Sequence, residues 1–299
     1  MIAGVETGGT KIIAAIAADE TPDAIEDLIE IATTTPDDAA ARLRGFLDSR
    51  GSDAPRHVGV AAFGPLDLDP LSPTFGFITA TPKPGWSGTS LPDLLGPERS
   101  LSFVSDVTGA ALGEGALGAT AGVRDSAYVT VGTGIGVGAL VARRPISEIS
   151  HPELGHIAVR RHPHDRFRGV CPFHEDCAEG LASGPAIAAR WGRPTRELGA
   201  DLERAAELEA FYLAQLLAAV TYAYRPERIV LGGGATKIPG VLEATRGALV
   251  PEINGALGDE HPSRDPRIFI VPPLLGDLSG VHGALQLAAV SARSVAPVH

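Results

Sequence analysis

The 299-residue chain has only two cysteines, and both fall in one stretch, "GVCPFHEDCAEG", Gly169 to Gly180. A framework of several disulfides is therefore excluded. Long apolar runs are missing too: none approaches the ~20 residues a membrane helix needs. The opening "MIAGVETGGTKI" lacks a basic n-region and a cleavage site, so no secretory signal is expected and the protein is expected in the cytoplasm. Basic charge is scarce: 25 Lys and Arg against 36 Asp and Glu leave a net charge of −11 and a pI near 5.3. That balance argues against a nucleic-acid surface, which shows clustered Lys and Arg. The densest basic group, "RRHPHDRFRG" (Arg160 to Gly169), has no ladder of aromatics around it. It reads as a solvated loop or a place for substrate or partner contacts.

What is present is ordinary for a soluble globular protein, with 44% hydrophobic and 20% charged residues. The length suits two modest domains. Short apolar strands alternate with amphipathic helices, which predicts α/β layers. "IAGVE" (Ile2 to Glu6) and "IIAAIAA" (Ile12 to Ala18) read as strands joined by a glycine turn, a hairpin rather than a strand-to-helix crossover. "HVGVAAFG" (His57 to Gly64) and "LSFVSD" (Leu101 to Asp106) read as further strands, the latter running into "VTGAALGEGALGA", a helix in spite of its glycines. "SAYVTVGTGIGVGALVA" (Ser126 to Ala142) repeats the strand, Gly/Thr turn, strand pattern of the opening. That internal echo predicts two related halves, each presenting a glycine hairpin. A long helix is expected from Asp201 to Pro226, then a strand and turn over Arg228 to Thr236, and a last helix over Val281 to Ala292 that returns to the first half. The Pro/Gly-rich segment from Pro65 to Pro97 is of a length that shapes a binding site rather than simply connecting elements.

"GVETGGTK" nearly matches the phosphate-loop pattern G-x4-G-K-[ST], but Thr10 precedes Lys11 and the segment sits between two strands where that loop would open a helix. The physical requirement can still be met, because glycines let backbone N–H groups approach phosphate oxygens while hydroxyls and a lysine add donors. Three such turns, at Gly8 to Lys11, Gly132 to Gly138 and Gly232 to Gly234, each stand at a strand end. Asp106 ends an apolar strand just before a helix. Aspartate is a good N-cap, and a carboxylate at a strand's carboxyl end is also where α/β folds place chemistry. Phosphoryl transfer to an alcohol needs one such carboxylate to accept the hydroxyl proton. Asp106 can cap and serve as base at once.

The cysteines leave several readings open. C-x2-H-x2-C supplies three N/S ligands, whereas a structural zinc takes four in a tetrahedron. Five of the nine histidines lie between His151 and His174, so a fourth ligand is at hand. Free thiols or a redox pair fit the same spacing, and a disulfide is disfavoured in the cytosol.

In order along the chain, "VETGGTK", "SDVTGAALGEG", "VTVGTGIGVG", "HPELGHI", "CPFHEDCAEGLASG" and "VLGGG" resemble the motifs of the repressor/ORF/kinase (ROK) family of sugar kinases. "GPLDLDPLSPTFGFITATPKPGW" and "HPELGHIAVRRHP" are similar to its fructokinase branch. The resemblance implies an α/β, actin-like (ribonuclease H-like) ATPase fold of two similar domains with a central cleft, an N-terminal lobe of residues 1–112 plus 282–299 and a C-terminal lobe of residues 113–281. It implies that Gly8, Gly9, Thr10, Lys11, Gly132, Thr133 and Gly134 hold the phosphates of ATP. Pro185, Gly232, Gly233 and Gly234 would border the adenosine. Asp106 matches the catalytic base, and Glu153, His156 and Glu179 match positions that hold sugar hydroxyls together with it. His156, chosen over His151, His162 and His164, joins Cys171, His174 and Cys177 as the zinc site, closed and structural. Mg2+ would accompany ATP, and a homodimer is implied. Glu6 stands where many relatives have Asp, Ser105 where glucokinase-like members have Asn, Thr108 where Asn is common, and the metal segment differs from the C-x-C-x4-C usual in the family's glucokinases. These departures bear on which sugar is taken, fructose being expected before mannose, glucose or an amino sugar. Some relatives are sugar-sensing repressors, but the glycine turn at residue 8 leaves no room for a preceding helix-turn-helix and the charge is acidic.

Overall fold

The computed structural model describes residues 1–295 apart from Glu20, Pro82, Glu148, Ile149, His151, Thr195 and Arg196. His151, weighed above as a metal ligand, thus lies outside the described residues. The chain divides into two compact units, Met1–Ala121 with Arg144–His151 and Leu274–His299, and Gly122–Arg143 with Pro152–Pro273.

In the first unit the strand Ile2–Thr7 pairs antiparallel with Lys11–Ala17, which pairs antiparallel with Ile25–Ala32. On its other side Ile2–Thr7 pairs parallel with His57–Ala62, and that strand with Ser100–Ser105. The central strand is buried along both faces, which is why it reads as an unbroken apolar run and not an alternation. Ala3, Val5, Val58 and Val60 pack on one side with Leu43, Leu47, Trp86 and Leu91. Ile2, Ile13 and Ala15 pack on the other with Val281, Leu285 and Ala288 of the last helix, Ser279–Val295. Gly4 and Gly59 admit that helix: a Cβ on Gly59 would lie 1.9 Å from the Ala284 carbonyl oxygen. The Pro/Gly-rich segment from Pro65 to Pro97 is built into this core. Leu66, Ile78, Trp86, Leu91 and Leu95 are buried, and the Trp86 indole donates to the Thr34 carbonyl at 2.8 Å.

The second unit repeats the scheme. Ser126–Val131 pairs antiparallel with Ile135–Val141 and, on its other side, parallel with Arg228–Gly232, which pairs parallel with Ile270–Val271. The long helix runs Leu202–Tyr224 and ends on Arg225 in the left-handed region, with Pro226 following. Its Leu208, Tyr212, Leu213, Leu216, Leu217 and Val220 fill the core. The echo read in the sequence is therefore a repeated hairpin: register closes at Thr7 opposite Ile12 in one unit and at Val131 opposite Ile135 in the other.

The elements that go beyond those expected include the strands Ile25–Ala32 and Ile270–Val271 and the helices Pro36–Leu47, Ala178–Ala182, Gly184–Trp191 and Val241–Ile253. Among the described residues no helix is long and apolar enough to cross a membrane.

Candidate active site

The first glycine turn is closed by the Gly8 N–H on the Lys11 carbonyl (2.9 Å) and braced by Thr33, whose hydroxyl donates to the Gly8 carbonyl at 2.6 Å. The N–H groups of Gly9 and Thr10 donate to nothing among the described residues, and a Cβ on Gly9 would meet open space. Two outward donors on a braced turn suit an anionic oxygen. The Lys11 ammonium is held by Glu30 at 3.0 Å and Asp277 at 3.1 Å. A second cation stands nearer the turn's backbone: Lys83 Nζ donates to the Gly9 carbonyl at 2.8 Å. Lys83 falls within "GPLDLDPLSPTFGFITATPKPGW", but that phrase gives it no role; its place depends on how the segment from Pro65 to Pro97 packs.

Asp106 opens the helix Asp106–Ala116 at the carboxyl end of Ser100–Ser105. The cap falls one residue earlier than the sequence suggested. The Ser105 hydroxyl accepts the Thr108 N–H at 3.3 Å and donates to the Thr108 hydroxyl at 2.9 Å, both in buried surroundings. Asp106 Oδ1 accepts the adjacent Val107 N–H at 2.8 Å. With the cap supplied by serine, the aspartate is not needed to close the helix.

Glu6 is the other acid here. It ends deep beside the start of the last helix, where a Cβ on Gly280 would lie 2.4 Å from its carboxyl carbon, and its Oε2 is buried without a hydrogen bond. Burial, then the negative charge of Asp106, push its pKa up to about 7, against the opposing pull of Lys11 and the Val281 N–H. A carboxyl whose folded pKa lies above its unfolded value stabilises fully below the unfolded pKa and loses that contribution as pH rises through the folded one. The window here runs from 4.5 to about 7. Glu6→Gln is therefore expected to match the native protein's unfolding midpoint at low pH and to exceed it at pH ~8, by on the order of 3 kcal/mol. Equal midpoints across that range in urea titrations would contradict the buried-acid assignment.

In the second unit the turn Gly132 to Gly134 closes with the Gly132 N–H on the Gly134 carbonyl at 2.8 Å. Glu179 Oε2 accepts the Ile135 N–H at 2.8 Å, and a Cβ on Gly134 would lie 2.7 Å from the same oxygen. Gly184, beside Pro185 in the first turn of the helix Gly184–Trp191, donates to the Gly132 carbonyl at 2.7 Å. Gly233 has a φ of +95° and its Cβ would meet Val131 backbone atoms at 2.5 Å, so only glycine brings the third turn this close to the second. Thr133 sits in the turn itself. Glu153 precedes the short turn Leu154–His156, which packs on Ile135: a Cβ on Gly155 would lie 2.1 Å from the Ile135 carbonyl oxygen. Glycine turns two and three, Pro185, Glu153, His156 and Glu179 thus gather around one strand end.

The cysteine stretch folds as a tight hairpin in which Cys171 and Glu175 exchange backbone hydrogen bonds. Its bounding glycines are steric necessities. A Cβ on Gly169 or Gly180 would lie 2.0 or 1.9 Å from the Glu175 carbonyl oxygen. His156 Nδ1 is 3.6 Å from both Cys171 Sγ and Cys177 Sγ, and His174 Nδ1 is 3.9 Å from Cys171 Sγ. The donor atoms of His156, Cys171, His174 and Cys177 all lie within 4.8 Å of one another. A tetrahedron with bonds of ~2.0–2.3 Å has nitrogen–sulfur edges of roughly 3.6 Å, so the cluster fits zinc. Burial pushes the Cys177 thiol up to about 11, so a cation is what would hold its thiolate. Cys177 Sγ also accepts the Gly180 N–H at 3.4 Å, capping the helix Ala178–Ala182 that carries Glu179.

The sequence profile of the ROK family matches residues 2–290. The chain belongs to the ROK family. The fructokinase of Zymomonas mobilis subsp. mobilis is 41% identical over 295 residues, covering 95% of both chains. The fructokinase of Pediococcus pentosaceus is 34% identical over 299 residues, covering 98% of this chain and 99% of its own. Among solved structures, the ROK hexokinase from Thermus thermophilus superposes with a TM-score of 0.78 at 27% identity, covering 98% of this chain and 99% of that one. The actin-like α/β fold expected from the motifs is the fold of this ROK protein, and the repeated hairpin sheet is its signature.

Proposed function

We propose that this ROK protein is an ATP-dependent fructokinase, which transfers the γ-phosphoryl group of ATP to the 6-hydroxyl of D-fructose. The observation that carries the mechanism is Asp106: a carboxylate at a strand's carboxyl end whose capping duty Ser105 has taken. Asp106 accepts the hydroxyl proton as the sugar oxygen attacks in line, without a covalent enzyme intermediate. The N–H groups of Gly9 and Thr10, with Gly8 as hinge and Lys11 and Lys83 as flanking cations, hold phosphate oxygens, as do Gly132, Thr133 and Gly134. Pro185 and Gly232 to Gly234 border the adenosine. Mg2+ supplies neutralising charge for the phosphates when bound. Glu153, His156 and Glu179 accept or donate to sugar hydroxyls, and Glu179 links that recognition to the second phosphate turn through Ile135.

Fructose is favoured by the similarity to fructokinases over nearly the whole chain. Ser105 donates its hydroxyl proton to Thr108, so it cannot make the amide contact that Asn offers at this position in glucokinase-like members. A panel of kcat/KM values across fructose, mannose, glucose and glucosamine, read by ADP release, tests the assignment. Fructose should lead by about tenfold or more, the scale set by one or two hydroxyl contacts. Glucose equal to fructose would replace it with a broad hexose kinase.

His156, Cys171, His174 and Cys177 hold zinc in a closed site, which serves as a structural clasp fixing His156 and Glu179. Protein purified without chelators should contain about one zinc per chain, and Cys171→Ser should lose most of it. The variant should raise the fructose KM more than it lowers kcat. Metal content under half an equivalent in the native protein would count against the clasp. The protein acts in the cytoplasm as a homodimer.

A further inference from the structure

One cavity of the second unit belongs to none of the residues assigned above. It measures about 520 Å³ and is lined by His162, His164 and Arg166 from the segment between His156 and Cys171, and by Arg204, Glu207 and Leu208 from the helix Leu202–Tyr224. The size falls within the range of small-ligand sites, ~300–1,000 Å³.

Its charge is unusual for this chain. The protein carries 11 more acidic than basic side chains, and several arginines of this unit are paired, Arg160 with Glu252, Arg161 with Asp176, Arg168 with Glu175 and Arg193 with Asp201, whereas Arg225 and Arg267 stand apart from this cavity without a side-chain partner among the described residues. Arg166 and Arg204 have no carboxylate or hydrogen-bond partner among the described residues. Two guanidinium groups lining one cavity, in a protein with acids to spare, form a site for a shared anion, because each fork matches phosphate oxygens.

The walls are pre-formed. Asp165 and Phe167 flank Arg166. Asp165 Oδ2 accepts the Tyr212 hydroxyl at 2.7 Å and lies 3.1 Å from Arg190, while the Phe167 ring lies under the Arg190 guanidinium at 4.8 Å. The backbone on both sides of Arg166 is thereby anchored to the helices Gly184–Trp191 and Leu202–Tyr224. His162 Nδ1 accepts the His164 N–H at 3.3 Å, which leaves the ring proton on Nε2, 3.7 Å from Glu207. The cavity therefore offers two cations beside an imidazole–carboxylate pair formed by His162 and Glu207.

We propose that this cavity binds a phosphoryl dianion, held between Arg166 and Arg204, as a phosphorylated sugar or as free phosphate. It shares no residue with the site of phosphoryl transfer, and it stands whether or not fructose is the substrate.

The experiment is a titration of 13C-histidine-labelled full-length protein, with the His162 and His164 ring signals assigned through His162→Gln and His164→Gln. Inorganic phosphate, fructose 6-phosphate and potassium chloride at matched ionic strength are the three probes. Both rings should shift saturably with the phosphates and not with chloride. Tighter binding of fructose 6-phosphate identifies a sugar phosphate as the occupant, and equal affinity identifies free phosphate. Arg166→Ala and Arg204→Ala should each weaken binding roughly tenfold, the loss of one charge-assisted contact. The absence of a saturable shift below about 10 mM ligand, or a shift that survives in the Arg166→Ala/Arg204→Ala double variant, overturns the proposal.

Discussion

Asp106→Asn is expected to leave the protein folded and to lower kcat by ~10²–10⁴-fold, the usual contribution of a positioned general base. The fold should survive because the cap belongs to Ser105 and because an amide oxygen can still accept the Val107 N–H that Oδ1 holds at 2.8 Å. The substitution also removes a negative charge that contributes to the raised pKa of Glu6, so stability at neutral pH should hold or rise. Sugar binding, followed by the fructose KM, should change far less than kcat, since the interaction lost is one made in the transition state. Turnover within a fewfold of the native enzyme in a coupled ADP assay would remove Asp106 from its assigned role. A collapse of thermal stability would show that it is structural.

Gly283→Ala should be among the most damaging small substitutions in the chain. The helices Asp106–Ala116 and Ser279–Val295 touch through glycines: a Cβ on Gly283 would lie 1.8 Å from the Gly109 carbonyl oxygen and 3.0 Å from the Gly113 nitrogen, and one on Gly113 would lie 2.0 Å from the Ser279 carbonyl oxygen. The obstacles are backbone atoms, which no rotamer change can clear, so two helices must separate. A cost of at least about 3 kcal/mol follows from overpacking of this kind, a fall of roughly 5 °C in melting temperature for a protein of this size. Helix propensity alone predicts the opposite sign, since alanine is favoured over glycine by ~1 kcal/mol in a helix interior. Gly45→Ala is the control. Gly45 lies in the helix Pro36–Leu47 with nothing within 4 Å of its Cβ, and the substitution should stabilise slightly. Matching effects at the two positions would contradict the glycine seam.

The same seam shows how far local pattern reaches. "VTGAALGEGALGA" is a helix, but its glycines look like a weakness until the last helix is laid against them. Glu114, from the same helix, is fully buried and accepts hydrogen bonds from the backbone of Ala119, Leu274 and Leu275 and from the Ser279 hydroxyl. A lone acid in a helical stretch carries no sign that partners 160 residues away will claim it. Ile25–Ala32 lacks a clear strand signal for a related reason: its acidic residues Glu26, Asp27 and Glu30 mask the alternation that an edge strand shows. Spacing alone places Lys11 beside the first turn, but not the carboxylates of Glu30 and Asp277, 19 and 266 residues away, that orient its ammonium.

The sequence by itself determined the repeated glycine hairpins, the family, and the clustering of Cys171, His174 and Cys177, while His156 as their companion is what the resemblance implied. The hairpins and the cysteine cluster depend on residue type and short-range spacing, and a tight turn that needs glycine leaves little choice. Tertiary structure decided which partners the buried charges keep. It assigned the cap to Ser105, the second turn's anchor to Glu179, and Arg166 and Arg204 to one cavity. Those outcomes follow from contacts between segments far apart in the chain, where burial and electrostatics act on distances that spacing does not encode. In "GVCPFHEDCAEG" both levels meet: spacing marked the thiols, while only the folded hairpin explains why glycine must stand at either end.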